Sequence, residues 1–327
     1  MDIQQLFTDF THLRILVIGD VMLDSYIWGS VDRISPEAPV PVVSVKKRDY
    51  RLGGAANVAL NIKAMGAEPL LCALIGNDEA SARLTDCLKR ENILNDGLVV
   101  SSSRPTTVKT RVIASHQHVV RVDEESDKPA NASEEESILR KVETLLPQAH
   151  AIIFEDYDKG TLTEKVITQV VTWANEKGIP TIVDPKKRNF LHYRNVTLFK
   201  PNLKELREGL KVEVDPGRTE QVQKAVTQLK DVLHAKGVML TLSEHGVYID
   251  YKGETKSVPA HVREIADVSG AGDTVVAVAA LCVARQLPPA HIASLANLAG
   301  GLVCQHVGVA PINKEELQAE ASTLGLA

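Results

Sequence analysis

A mostly parallel α/β sheet covered by helices on both faces, with a small β-sheet appended as a lid, is the architecture this sequence predicts. Three observations carry that expectation. Short runs rich in Val, Ile and Leu alternate with segments of helical periodicity along most of the 327 residues. Those runs are apolar throughout, as in strands buried on both faces. Two other regions, 24–50 and 105–123, break the rhythm, alternating in the manner of antiparallel strands with no helix between.

LRILVIG (13–19) reads as the first buried strand. GAANVALNIKAMG (54–66) has helical spacing and stops at a glycine suited to a C-cap, and EPLLCALIG (68–76) returns as a strand. Helices are expected over 78–92 and 133–146, then a strand at AIIFEDY (151–157) and a helix over 163–177. TIVDP (181–185) and VTLFKPN (196–202) read as strands, followed by a helix over 221–236 and strand VMLTLS (238–243). Two helices, about 272–286 and 290–306, lie near the C-terminus. Strands alternating with helices of this length imply βαβ units.

By length the chain suits about two domains, or one large α/β unit with an appendage. The second reading is preferred: a single domain over 1–327 whose lid is formed by about 24–50 and 105–123. A formal charge of −5 leaves no basic footprint for nucleic acid or an anionic membrane. Cys72, Cys87, Cys282 and Cys304 are scattered, which suits buried free thiols in a reducing compartment. Neither a leader peptide nor an apolar run of spanning length is visible, so a cytoplasmic protein is expected.

The run DVSGAGD (267–273) concentrates the chemistry. Gly270 and Gly272 have no Cβ, so the backbone can turn sharply and an anion can approach the N–H groups around Ala271. A helix N-terminus adds unpaired donors and the positive end of a dipole. Asp273 then stands where a base is needed beside a bound phosphate. The same run equally suits helix capping and close packing. Carboxylates recur at strand ends in GDVMLD, FEDYDKG and VDPKK, where open α/β sheets bind ligands; caps and turns use such residues too.

In KPNLKE (200–205), Asn202 and Glu205 suit a capping box and suit equally the orienting of hydrated Mg²⁺ near phosphates. TLSEHG (241–246) offers Ser243 and the Gly246 turn for ribose or phosphate contact, or a plain strand–turn–strand. Lys109 and Arg111 share one face of a lid strand; with Arg121, and Arg33 from the other lid segment, they offer a phosphate clamp or a solvated face. The ten His residues form no metal set, and His116-Gln117-His118 reads as an exposed turn. P-loop, G-x-G-x-x-G and H-E-x-x-H motifs are absent, which leaves DVSGAGD as the candidate phosphate cradle.

Taken in order, these motifs resemble the ribokinase family of sugar kinases over roughly 13–312. The resemblance implies a ribokinase-like fold and ATP-dependent phosphorylation of a sugar hydroxyl. Gly53, Gly54 and Asn57 match the Gly-Gly signature that borders the sugar, and Asp24 matches the acidic residue that binds sugar hydroxyls. Asn202 and Glu205 match the N-x-x-E element that organises Mg²⁺ and phosphates, with Glu205 acting through water. Gly270, Ala271 and Gly272 match the anion hole, and Asp273 the catalytic base. Lys186, after the Asp184-Pro185 strand end, is expected to reach the ATP phosphates. Asp267 and Ser269 fall where relatives hold a monovalent cation, so K⁺ joins ATP and Mg²⁺ among the expected cofactors. LANLAGG (295–301), with Asn297, and GVAPIN (308–313) fall where relatives pack around adenine.

Within that family, ISPEAPVPV, VKTR and HQHVVRVDEE are similar to heptose-7-phosphate kinases of lipopolysaccharide precursor synthesis. The resemblance implies transfer to the anomeric 1-hydroxyl of D-glycero-D-manno-heptose 7-phosphate, by a chain that reads as a stand-alone kinase. Other readings are a kinase for fructose 1- or 6-phosphate, or a non-catalytic sugar- or nucleotide-binding regulator; an intact Asp273 and N-x-x-E favour the enzyme. Met22 replaces the Asn common in the first sugar motif, which argues against ribose, and Ser269 stands where Thr is common. The lid suggests a homodimer, because two projecting sheets would leave apolar faces and edges unpaired unless they met.

Overall fold

Residues 2–114, 117–261 and 263–326 are described by a computed structural model. Asp2 caps a first helix, α1 (Ile3–Phe10), whose Leu6, Phe7 and Phe10 are buried. The chain enters strand β1 (Arg14–Gly19) and leaves at once through a long hairpin, β2 (Val21–Ile34) and β3 (Pro41–Gly54). Helix α2 (Ala55–Ala64), strand β4 (Glu68–Gly76), helix α3 (Glu79–Arg90) and strand β5 (Gly97–Ser101) resume the alternation. A second excursion, β6 (Val108–Ala114) and β7 (Gln117–Glu124), precedes α4 (Ala132–Leu145), β8 (Ala151–Glu155), α5 (Glu164–Glu176) and β9 (Thr181–Asp184). Then come the two-residue β10 (Leu198–Phe199), α6 (Leu203–Leu210), α7 (Thr219–Leu233), β11 (Gly237–Thr241) and a hairpin, β12 (Val247–Tyr251) and β13 (Glu254–Val258). Helices α8 (Ala271–Ala284), α9 (Pro289–Val303) and α10 (Lys314–Thr323) follow.

The main sheet runs β13-β12-β11-β10-β9-β8-β1-β4-β5 and is parallel from β11 to β5, with β12 and β13 antiparallel. Period-two alternation splits its apolar residues between two cores. Ile15 and Val17 of β1 pack with α2, α8 and α9, whereas Leu16 and Ile18 pack with α4, α5 and α7. Helix α8 is buried around almost its whole circumference, so its sequence VVAVAALCVA shows little amphipathy. Among the described residues, no helix is long and apolar enough to cross a membrane.

The lid is a second sheet, ordered β3-β2-β6-β7. Its expected antiparallel character holds for β2·β3 and β6·β7, but β2 and β6 pair in parallel. The reason is topological: the two excursions leave the main sheet from the same end and run outward side by side. Both strands of the first hairpin also extend beyond 24–50, down to Val21 and Gly54, which plants the lid in the main sheet's rim. The strand expected over 196–202 shrinks to Leu198–Phe199 before Pro201. His116 lies outside the described residues; Gln117 and His118, expected in a turn, start β7.

Candidate active site

Gly270 adopts φ 82° and opens α8 without a side-chain cap. A Cβ at Gly270 would lie 2.9 Å from Asn57 Nδ2, so only glycine fits both the conformation and the space. One turn on, Asp273 is 3% exposed. Asn57 Nδ2, from the first turn of α2, donates to Asp273 Oδ2 at 2.7 Å. The Tyr157 hydroxyl, just beyond β8, donates to Oδ1 at 2.8 Å. Burial pushes the Asp273 carboxyl above the usual aspartate range, while the Asn57 and Tyr157 donors pull it back toward the ionised form. The nearby Asp184 charge raises it further and Lys186 lowers it.

Behind this carboxylate lies a buried charge cluster at the ends of β8, β9 and β10. A Cβ on Gly272 would lie 3.5 Å from Asp184 Oδ2 and 3.9 Å from Lys200 Nζ. Lys200, itself buried, pairs with Asp184 at 2.9 Å. Lys186 Nζ donates to Glu205 Oε1 at 2.9 Å and lies 5.0 Å from the centre of the Tyr157 ring. Burial alone would lower both lysines, but the surrounding carboxylates raise them, so both stay cationic. Asn202 and Glu205 close a capping box on α6: Glu205 N–H donates to Asn202 Oδ1, and Asn202 N–H to Glu205 Oε2. The capping-box reading is the observed one: the Glu205 carboxylate caps the helix with one oxygen and holds Lys186 with the other. Glu155 is fully buried and neither of its oxygens has a hydrogen-bond partner. Burial, then the Asp184 and Asp273 charges, push it well above the carboxylate range.

On the opposite side of Gly272 opens a cavity of about 640 Å³. Ser243, Gly246, Asn297 and Ala271 line it together with Gly300 and Gly301 of α9. Asn297 spends its amide on Pro259 O at 2.9 Å, so it acts there as a wall. His261 and Arg263, which the motifs did not single out, also face this space.

The lid's base forms a second cluster. Asp24 is buried and salt-bridged to Arg111; burial pulls its carboxyl upward while Arg111, Lys109 and Arg51 oppose. Lys109 and Arg51 flank Asp24 in the neighbouring ladders. Arg51 and Arg111 both lie over the Tyr26 ring, at 4.8 and 5.4 Å. A Cβ on Gly53 would fall 2.3 Å from Asp24 Oδ2, and Gly54 takes φ 57° against Asp20 O. Asp24, Gly53, Gly54 and Asn57 therefore form one path from lid to base. Arg33 does not join them: it is exposed, nine residues farther along β2, about 30 Å at strand rise. Arg121 faces Arg111 across the ladder but is 58% exposed and paired with Asp123.

Asp267 accepts from Ser269 N–H and Gly308 N–H, each at 2.9 Å, stitching the loop before α8 to the loop after α9. Burial would raise this carboxyl, yet the backbone donors win and hold it below the usual range. Sequence reasoning did not single out Tyr157, Glu155 or Lys200 for roles in the site. The only available signal was their place at strand ends, in FEDYDKG and KPN, where ligands collect in open sheets.

The arrangement suits phosphoryl transfer: a buried carboxylate at a bare helix N-terminus, a cavity of about 640 Å³ beside it, and a polar cluster under the second sheet. Comparison with known proteins agrees. The chain is 42% identical over 316 residues to the bifunctional protein HldE of Caulobacter vibrioides, covering 96% of this chain and 64% of that one. It is 40% identical over 304 residues to HldE of Paramagnetospirillum magneticum, covering 93% and 62%. The chain thus spans under two thirds of these relatives' length. Phosphofructokinase-2 from Escherichia coli in complex with potassium shares the fold, with a TM-score of 0.77 at 20% identity, covering 96% and 99% of the two chains. Ribokinase of Arabidopsis thaliana complexed with ribose and ATP superposes with a TM-score of 0.71 at 18% identity, covering 94% and 98%. The expected ribokinase-like α/β fold is therefore the observed one. The family model described as pfkB family carbohydrate kinase matches residues 12–316, and with that match this chain belongs to the pfkB family of carbohydrate kinases.

Proposed function

We propose that this chain transfers the γ-phosphoryl group of ATP to the anomeric 1-hydroxyl of D-glycero-D-manno-heptose 7-phosphate, giving the 1,7-bisphosphate for lipopolysaccharide precursor synthesis in the cytoplasm. The observation that carries the reading is Asp273, buried at the glycine-built start of α8 between the open cavity and the polar cluster under the lid. Similarity of the lid segments to heptose-7-phosphate kinases, together with the identity to HldE proteins, supports the choice of sugar.

In this reading Asp273 takes the proton of the attacking hydroxyl, and its two donors hold the carboxylate toward that proton. The first-turn N–H groups after Gly270 face the charge that develops on the transferring group. Lys186 neutralises phosphate oxygens at the same end. Asp24 accepts from sugar hydroxyls, Gly53 and Gly54 let the sugar approach the backbone, and Lys109 and Arg111 meet the distal phosphate. Adenosine occupies the cavity lined by Ser243, Gly246, Asn297 and Gly300.

Mg²⁺, when bound, supplies charge neutralisation on the phosphates. No group of three His, Cys, Asp or Glu side chains among the described residues could hold a metal directly. That suits an ion kept by phosphates and waters, with Glu205 as the water-orienting carboxylate. K⁺ is assigned to the Asp267–Ser269 turn, where the Asp267 carboxylate, already engaged by two backbone N–H groups, supplies charge. Two copies are assigned to pair through the lid, whose Ile27, Val43, Val45, Val112 and Val120 line an open apolar groove.

The test is phosphate transfer from ATP to a panel of sugar phosphates, with the phosphorylated position read by NMR. Transfer to the heptose 1-hydroxyl at a kcat/KM well above that for fructose 1- or 6-phosphate is expected. Preferred turnover of a fructose phosphate would replace the substrate, and no transfer to any sugar would leave the binding-regulator reading.

A further inference from the structure

Asp273 is tethered from two sides, and only one tether comes from the sugar-side helix. The other is the hydroxyl of Tyr157, at 2.8 Å from Oδ1. Its position is over-determined for a residue in a loop. Asp20 Oδ2 accepts from Tyr157 N–H and Lys159 N–H, and Oδ1 from Thr161 N–H, all at 2.9 Å. Asp156, immediately before Tyr157, is fixed by Tyr193 and Asn189. The Lys186 ammonium caps the ring face.

We propose that Tyr157 is a positioning residue for the phosphoryl transfer, holding the Asp273 carboxylate aimed and ionised so that it accepts the substrate proton at lower pH than burial would allow. The inference rests on the reading of Asp273 as the base. The charged surroundings of Asp273 show why a donor is needed. Glu155 and Tyr157 approach from β8 and its loop, Asp184 and Lys186 from β9, Lys200 from β10 and Asn57 from α2. Burial and Asp184 favour the neutral acid, whereas the two donors and Lys186 favour the carboxylate. Tyr157 itself holds its proton, because burial and the Asp273, Glu155 and Asp184 charges raise its own pKa. It is therefore a permanent donor and never a competing base.

A tyrosine rather than a shorter donor is also what the geometry requires. The hydroxyl must span from a loop braced on Asp20 to the first turn of α8, and the ring fills the gap between. Phenylalanine would keep that ring under Lys186 and delete only the donor.

The experiment is the pH profile of kcat and kcat/KM for wild type, Tyr157→Phe, Asp273→Asn and the double variant, with fold and nucleotide affinity checked by circular dichroism and ATP titration. Losing a donor to a charged acceptor should move the acid limb of kcat/KM up by about one pH unit. kcat near neutral pH should fall about tenfold, and the KM for ATP should stay. In the Asp273→Asn background, removing the Tyr157 hydroxyl should cost nothing further, whereas a merely structural tyrosine would add its loss in both backgrounds. An acid limb unmoved in Tyr157→Phe, with Asp273→Asn inactive, overturns the role of Tyr157 alone. Near-wild-type kcat in Asp273→Asn overturns the base itself.

Discussion

Arg111 is both a partner of buried Asp24 and a neighbour of the Tyr26 ring, and these ties decide what its loss should do. Arg111→Ala should raise the KM for the sugar phosphate by about a hundredfold, the scale of a charge-assisted pair lost in a partly buried site, with the KM for ATP unchanged. An unchanged sugar KM in steady-state kinetics would remove Arg111 from the phosphate clamp. Asp156 gives a second check at this scale. Burial, then the Asp20 charge, push its pKa to about 6 against the Tyr193 and Asn189 hydrogen bonds. An unfolded aspartate titrates near about 3.9, so between about pH 4 and 6 the folded chain holds a proton the unfolded chain has released. That stability is present below this window and lost as pH rises through it. Thermal melts from pH 4 to 7 should show a shallower decline for Asp156→Asn than for wild type. Gly270, Gly272, Asp273, Asn202 and Glu205 could be picked from the sequence because glycine freedom and cap spacing are local properties, whereas Asn57 came only through the family resemblance. Tyr157, Lys200 and Glu155 could not, since only tertiary packing buries a lysine against Asp184 or aims a tyrosine at an acid 116 residues away.

Helices α8 and α9 meet so closely that a Cβ on Gly300 would lie 2.6 Å from Val275 Cγ2. Gly300→Ala should therefore destabilise the fold by about 1–3 kcal/mol through overpacking, read by denaturant unfolding. A wild-type midpoint would show that the two helices have room to part. The long parallel elements were legible because buried strands and their helices carry strong apolar periodicity; EPLLCALIG matches β4 residue for residue. Edge and terminal elements were not. β5 is a five-residue edge strand, β13 is exposed and charged, and α1 and α10 are short helices whose packing is set by neighbours distant in sequence. The parallel β2·β6 pairing escaped for a related reason. Alternation shows which side chains share a face, not which way the neighbouring strand runs.

Across the whole molecule, the lid presents an apolar groove in which Val45 is 50% and Val120 48% exposed. A pairing of two lids should bury it, and Val43→Asp should turn a dimer into a monomer in multi-angle light scattering at micromolar concentration. A monomeric wild type under those conditions would remove the dimer from the proposal. The hairpin that builds half of this lid has one further property. Ala55 N–H donates to Asp20 O at 3.0 Å, so the strand that leaves the main sheet and the helix that re-enters it are already in contact. Residues 21–54 are thus an inserted cassette whose two ends touch, and closing such a segment costs the scaffold little whatever its length. In the proposed function, exchanging that cassette at its junction changes residues that meet the sugar, Asp24, Gly53 and Gly54, and leaves Asn57 and Asp273 outside it.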